Sequence, residues 1–371
     1  MEIPKWPIAG ERELELIRGV LDSGQWGGFN EIVPRFERKF AAFQHCGHGV
    51  SAFNGTVTLE MALEAMGIAP GDEVIVPAIS FASTATSVSR VRAIPVFVDI
   101  EPYTFNICPT RAAAAITPRT RAIIAVHFGG PMANMDRLLS LGVPVIEDAA
   151  HSQGAEWNGR RAGSFGVVAS FSFQNGKVMT SGEGGILTTN DAALATRLRA
   201  IANTGRREGE GFFFHYTLGS NYRITALQAA VLIAQLERLP EQNARRAQYA
   251  AILRADTAHV PGFVWQQVPP QAAVHTNYLM LGRIDAHQFG ETRNEFHRRI
   301  TAAGVPCTPF YPHPLYGNPL YQTEPCRIEP CPNAEACIQD AFWFPHRVLL
   351  GPDSAAQELA SIVAAGHRQS K

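Results

Sequence analysis

The chain has 371 residues and a mass of 40.4 kDa, enough to bury a sizeable core, and its length suggests one large domain followed by a smaller one. With 46% apolar and 18% charged residues, a formal net charge of -1 and a pI ≈ 6.9, it has neither the basic balance of a nucleic-acid binder nor an acidic tail, so the expected partner is a small molecule. The N-terminus lacks a basic region followed by an apolar one, and no later stretch is apolar for long enough to span a bilayer; a cytoplasmic protein with no membrane partner is expected.

Residues 11–21 read as a helix with Leu14, Ile17 and Leu21 on one face, broken by the turn Gly27-Gly28-Phe29-Asn30. A second amphipathic helix, 32–43, carries Val33, Phe36, Phe40 and Phe43 at helical spacing. The apolar run 49–53 then leads through Asn54-Gly55-Thr56 into a helix whose Leu59, Ala62, Leu63 and Met66 form a buried face ending at Gly67. A strand, glycine turn and helix in that order suit a phosphate, because the first amides of a helix are unsatisfied and carry the positive end of its dipole. A plain N-cap with Thr56 as the capping residue accounts equally for the same residues.

Strand-like and helix-like stretches then alternate: strands at 73–77, 93–99, 121–127 and 143–147, helices from about Ala82 and at 109–116 and 136–141. Apolar runs of this kind, spaced by helices, predict a mostly parallel sheet covered on both faces, with ligands bound outside the carboxyl ends of its strands. Phe81, His127, Asp148 and Lys177 all fall at such ends. Neither a Gly-x-Gly-x-x-Gly after the first strand nor a Gly-x-x-x-x-Gly-Lys-[Ser/Thr] occurs, which removes support for dinucleotide and nucleoside-triphosphate readings. Further on, 192–203 reads as a helix, 205–211 as a glycine-rich mobile loop, and 224–254 as a long helical pattern that Pro240 is expected to kink or end. Beyond residue 256 the composition shifts to a strand at 276–281, a helix at 292–303, a proline-rich stretch and a final helix at 354–367. The expected division is therefore 1–255 and 256–371, the second part being α+β. The six cysteines are expected to be free thiols, and the spacing of Cys326, Cys331 and Cys337 is too loose for structural zinc, so no metal is expected.

The stretch Ala169-Ser-Phe-Ser-Phe-Gln-Asn-Gly-Lys-Val-Met-Thr-Ser-Gly-Glu-Gly-Gly185 sets Lys177 between two apolar strands, at the end of the first and before a tight turn. A lysine partly removed from water there is suited to attack a carbonyl and form a Schiff base. Asn54-Gly-Thr56, Glu147-Asp-Ala-Ala-His151, Ser170-Phe-Ser-Phe-Gln-Asn-Gly-Lys177, Gly182-Glu-Gly-Gly185 and Asn221-Tyr-Arg-Ile-Thr225 occur in that order. In this the chain resembles, over nearly its whole length, the DegT/DnrJ/EryC1/StrS aminotransferases, which use pyridoxal 5'-phosphate (PLP) on keto-sugars and keto-cyclitols. The wording around Lys177 is similar to the branch holding 3-amino-5-hydroxybenzoate synthases and scyllo-inosose aminotransferases.

The resemblance implies an aspartate-aminotransferase-like fold (PLP fold type I), with a large α/β domain and a smaller α+β one, and with residues 1–50 packed on the small domain and the subunit interface. It implies Lys177 as the Schiff-base lysine, Asp148 at the pyridine nitrogen, His151 beside the cofactor, Phe81 on the ring face, and Gly55, Thr56 and Ser172 around the phosphate. Asn221 would reach the phosphate from the neighbouring subunit of a homodimer with shared sites. Tyr311, His313 and Tyr316, in Phe-Tyr-Pro-His-Pro-Leu-Tyr, would belong to a substrate-side loop. The implied reaction moves an amino group from glutamate or glutamine to a ketone on a sugar or cyclitol. The alternatives are a PLP lyase forming 3-amino-5-hydroxybenzoate from an aminoshikimate-type substrate, and a non-catalytic PLP-binding regulator. Where many relatives read His-Pro-x-Lys, this chain reads Gln174-Asn-Gly-Lys177, which favours a cyclitol or aminoshikimate substrate over a nucleotide-linked hexose.

Overall fold

A computed structural model describes residues 3–368. Two helices, α1 (Glu11–Asp22) and α2 (Ile32–Phe43), precede the alternating region. That region runs β1 (His48–Ala52), α3 (Gly55–Ala65), β2 (Glu73–Pro77), α4 (Ser83–Arg90), β3 (Ile94–Val98), α5 (Pro109–Ala114), β4 (Thr120–Val126), α6 (Met135–Leu139) and β5 (Val145–Asp148). A two-residue hairpin, β6 (Glu156–Trp157) and β7 (Arg160–Arg161), leads to β8 (Val168–Ser172), β9 (Gly185–Thr189), α7 (Ala192–Ala202) and the long α8 (Ala226–Thr257).

The large sheet has the order β1-β9-β8-β5-β4-β2-β3, and every neighbouring pair from β8 to β3 is parallel; β9 alone runs against its neighbours. Its middle strands are buried along their length because both faces are covered. Ile75, Ile123 and Val145 pack with α1, α2 and α8, whereas Val74, Val76, Ile124 and Ile146 pack with α3, α4 and α7. The remaining elements are β10 (Phe263–Trp265), β11 (Leu279–Ile284), α9 (Ala286–Phe289), α10 (Arg293–Ala302), β12 (Thr308–Pro309), β13 (Arg327–Ile328), α11 (Pro332–Asp340), β14 (Ala341–Pro345) and α12 (Asp353–Arg368). They form an antiparallel sheet of order β10-β11-β14-β12, packed with α10, α12 and the second half of α8, while β13 crosses back to extend the large sheet beside β3.

Four sequence expectations are corrected. Leu14 and Leu21 of α1 face solvent, and the buried face is Glu13, Leu16 and Val20. Glu13 is drawn inward because its carboxylate closes the helix start at Gly10 N and meets Gln235 Nε2 and Arg238 on α8, contacts that outweigh the apolar spacing. α1 and α2 also join the large-sheet core rather than that of the second sheet. α8 does not end at Pro240: the helix continues through the proline, which sits at an exposed position, and a capping box at Thr225 and Gln228 fixes the helix start. Residues 276–278 are not strand. Asn277 has φ 47, Thr276 Oγ1 donates to His151 O at 2.5 Å, and Leu279 N donates to Gly129 O at 3.0 Å, so this segment is tied to the large sheet's loops before β11 begins.

Phe40 of α2 meets Phe171 at 5.0 Å and Phe173 at 5.4 Å, ring centre to ring centre, so it supports the strand that leads to Lys177. Phe40→Ala should cost about 3–5 kcal/mol, read as a lower urea midpoint with an unchanged slope.

Candidate active site

β5 delivers Glu147 and Asp148 to opposite faces of the sheet. Glu147 is fully buried: Oε2 accepts from Gly163 N at 2.8 Å and meets His127 Nε2 at 3.0 Å, and Oε1 accepts from Phe165 N and Gly166 N at 2.9 and 2.8 Å. Burial works against its charge, but the His127 bond and these amides win and hold its pKa below the usual carboxylate range. Because His127 Nδ1 accepts from Ala133 N at 3.2 Å, the ring proton is on Nε2, directed at Glu147. His127 thus lies under the site rather than in it. Asp148, on the other face, lines a cavity of about 500 Å³. Thr84 Oγ1 donates to its Oδ2 at 2.8 Å and Ala150 N to its Oδ1 at 3.3 Å, and burial raises its pKa.

Lys177 enters the same cavity from the turn after β8, half-buried, its Nζ 4.7 Å from the centre of the Tyr278 ring. Lys177 N donates to Gln174 O at 2.8 Å, and Gln174 Oε1 accepts from Gly176 N at 2.7 Å. Across the cavity is the N-terminus of α3. Its cap is Asn54, not Thr56: Asn54 Oδ1 accepts from Val57 N at 2.8 Å. Thr56 instead shares a 2.7 Å hydroxyl contact with Ser83. Gly55 must be glycine, since a Cβ there would lie 2.6 Å from Ser172 Cβ. The first turn of α3 is thereby pressed against the end of β8, and Gly55, Thr56, Ser83 and Ser172 line one end of the cavity.

His151 Nδ1 accepts from Gly129 N at 3.3 Å, so its proton is on Nε2. Burial first, then the charge of Lys177, pushes its pKa well below the ordinary value, and the ring is neutral. It packs 4.2 Å from Tyr278 and 5.6 Å from Phe128.

Of the residues expected to form a site, Gly55, Thr56, Phe81, Asp148, His151, Ser172 and Lys177 meet in this cavity, with Phe81 62% exposed at its mouth. Asn221 does not reach it; it is exposed and bridges to Asn203. Tyr311 packs among Phe128, Phe310 and Trp343, behind the lining, and burial raises its pKa. His313 Nδ1 bonds Pro314 O at 3.0 Å, and Tyr316 donates to Glu335 at 2.9 Å and packs on Phe97, so neither lines the cavity. Ser83, Thr84 and Tyr278 are residues at the site that the sequence did not single out. Thr84 carried a faint signal, its four-residue spacing from Ser80 at a helix start, where the two hydroxyls meet at 2.7 Å. Tyr278 carried none, because a loop clamped by tertiary contacts reads as strand.

A model of the family described as DegT/DnrJ/EryC1/StrS aminotransferase matches residues 7–363. The chain is 37% identical over 378 residues to a 3-amino-5-hydroxybenzoate synthase of Amycolatopsis mediterranei, covering 98% of this chain and 97% of that one. It is 38% identical over 307 residues to an L-glutamine:2-deoxy-scyllo-inosose aminotransferase of Micromonospora echinospora, covering 78% and 73%. Among solved structures, a 3-amino-5-hydroxybenzoic acid synthase superposes with a TM-score of 0.93 at 36% identity, covering 99% of each chain.

His151 and His346 are both buried, and burial pushes the pKa of each well below the ordinary value. The unfolded chain therefore binds more protons than the fold below about pH 6.5, and stability should fall with pH by up to about 1.4 kcal/mol per unit for each histidine. Asp148, with its raised pKa, opposes this only near the carboxylate range. Melting temperatures read from about pH 7.5 down to about pH 5 should decline, and less steeply in His151→Asn.

Proposed function

The chain belongs to the DegT/DnrJ/EryC1/StrS family of PLP-dependent aminotransferases of fold type I, and on that premise we propose that it moves an amino group from glutamate or glutamine to a keto-cyclitol or keto-sugar. The observation that carries this reading is the convergence of Lys177 and Asp148 on one cavity whose far end is the α3 N-terminus. The residues fit the cofactor. Asp148 is a buried carboxylate whose raised pKa a protonated ring nitrogen would relieve, and the glycine and hydroxyl cradle at Gly55, Thr56, Ser83 and Ser172 suits a phosphate.

When bound, PLP supplies an aldehyde that accepts the amino group and a ring that takes up the electron pair left at the donor's Cα. The chain's own residues do the rest. Asp148, oriented by Thr84 and the Ala150 amide, would keep a proton on the ring nitrogen. Lys177 Nζ, among the described residues the one amine lining the cavity, would serve as the base that takes the donor's Cα proton. His151 offers Nε2–H as a neutral donor, and Phe81 would cover one ring face. The Gln174-Asn-Gly-Lys177 wording, where many relatives read His-Pro-x-Lys, supports a cyclitol ketone over a diphosphate-linked sugar.

The similarity to 3-amino-5-hydroxybenzoate synthase over 98% of the chain favours a second reading, the loss of water from an aminoshikimate-type substrate with Lys177 as the base. That reaction needs no amino donor and yields an aromatic, ultraviolet-absorbing product.

The proposed assembly is a homodimer with shared sites. Phe29, Phe212, Phe213 (84% exposed), Phe214 and Leu218 (93% exposed) form an apolar band, with Arg223 over Phe29 and Arg206 over Phe212. A patch of this kind is what an interface covers. As the resemblance to the family implies, a second copy would bring Asn221 to its partner's phosphate cradle.

With glutamine and 2-deoxy-scyllo-inosose, wild type should turn over steadily and Lys177→Ala should lose at least about 10³-fold in kcat. Aromatic product without a donor would replace the first reading by the second, and no turnover of either kind would reject both. Mixing Lys177→Ala with Asn221→Ala subunits should restore sites in hybrid dimers, to roughly a quarter of the wild-type level; no recovery would argue against sharing.

A further inference from the structure

The loop that carries Lys177 has no ladder of its own, and distant side chains bind the carbonyls around it. Asn175 O accepts from Trp6 Nε1 at 2.9 Å, Gly176 O from His346 Nε2 at 3.1 Å, and Val178 O from Arg246 Nη2 at 3.4 Å. These side chains come from the segment before α1, from the end of β14 and from the middle of α8. They also touch one another: Trp6 meets His346 edge-on at 4.5 Å, and the Arg246 guanidinium lies 5.7 Å from the Trp6 ring. Arg246 is fully buried and, among the described residues, pairs with no carboxylate; its other partner is Asn243 Oδ1 at 2.8 Å. A buried guanidinium is costly where packing alone is needed, so its place against the Val178 carbonyl marks the loop as something to be held.

His346 also acts on the wall of the site. Its backbone N donates to Tyr278 O at 3.1 Å and its ring stacks on Tyr278 at 5.9 Å, while Tyr278 in turn faces Lys177 Nζ and packs on His151. Trp6, His346, Tyr278 and His151 thus form one column of rings beside the lysine.

We propose that Trp6 and His346, with Arg246 as their support, are positioning residues: they fix the two peptide units before Lys177 so that its amine keeps its line into the cavity. The segment ahead of α1 is then part of the active centre. The proposal rests on Lys177 being the reactive amine.

Trp6→Phe keeps the ring and removes the donor, His346→Leu removes the bond to Gly176 O, and His346→Gln returns an amide donor at the same reach. On the full-length holoenzyme, amide hydrogen exchange over 174–179 should quicken about tenfold in Trp6→Phe and His346→Leu, with little change over β4, and His346→Gln should recover most of it. After the cofactor is removed, the rate at which added pyridoxal phosphate becomes fixed to Lys177 by borohydride should fall about tenfold in the same two variants. Wild-type exchange and capture rates in both, or an equal quickening throughout the protein, would overturn the proposal. Capture at a different lysine in the wild type, with the local exchange effect intact, would support the anchoring and instead reject Lys177 as the reactive amine.

Discussion

The structure depends on one buried carboxylate, that of Glu147. On the reverse side of β5 from Asp148 it binds the imidazole at the end of β4 and the amides of the turn that feeds β8. It therefore ties the carboxyl end of β4 and the amino end of β8 to the β5 strand that lies between them. Because side chains alternate along a strand, holding Glu147 on one face sets the position of Asp148 on the other. Ser172 and the Lys177 turn follow from where β8 ends.

Around that constraint the chain assembles a site from parts far apart in sequence. Gly55 and Thr56 come from the first strand–helix unit, Asp148 from the fifth strand and Lys177 from the turn before the antiparallel β9. Tyr278 comes from a segment whose hydrogen bonds run to His151 and Gly129 rather than to a sheet neighbour. That segment joins the second sheet to the first, so the packing of the two is itself part of the site's wall.

The alternation of strand and helix was readable because buried parallel strands are apolar on both faces, a pattern that survives without any knowledge of partners. Lys177 and Asp148 were readable because their motifs lie at strand ends, and seven of the expected residues share one cavity. What could not be read was decided by long-range pairing. An inward Glu13 looks polar and therefore exposed until Gln235 and Arg238 on α8 are known. Pro240 looks like a break until its side of α8 is seen to face solvent. Tyr316 looks like a substrate contact until Glu335 on α11 takes its hydroxyl. Trp6 and His346 have no local pattern that ties them to a lysine so distant from both.

The place of β1 in the sheet bears on the order of events during synthesis. Its neighbour is β9, with His48 opposite Thr189, so the first strand to leave the ribosome has no partner until the whole alternating region has been made. Closing so long a loop is entropically costly and slow, and the fit of Gly55 against Ser172 at the start of α3 waits on the same stretch of chain. The finished start of α3, encoded early in the chain, is consequently among the last features that translation allows to form.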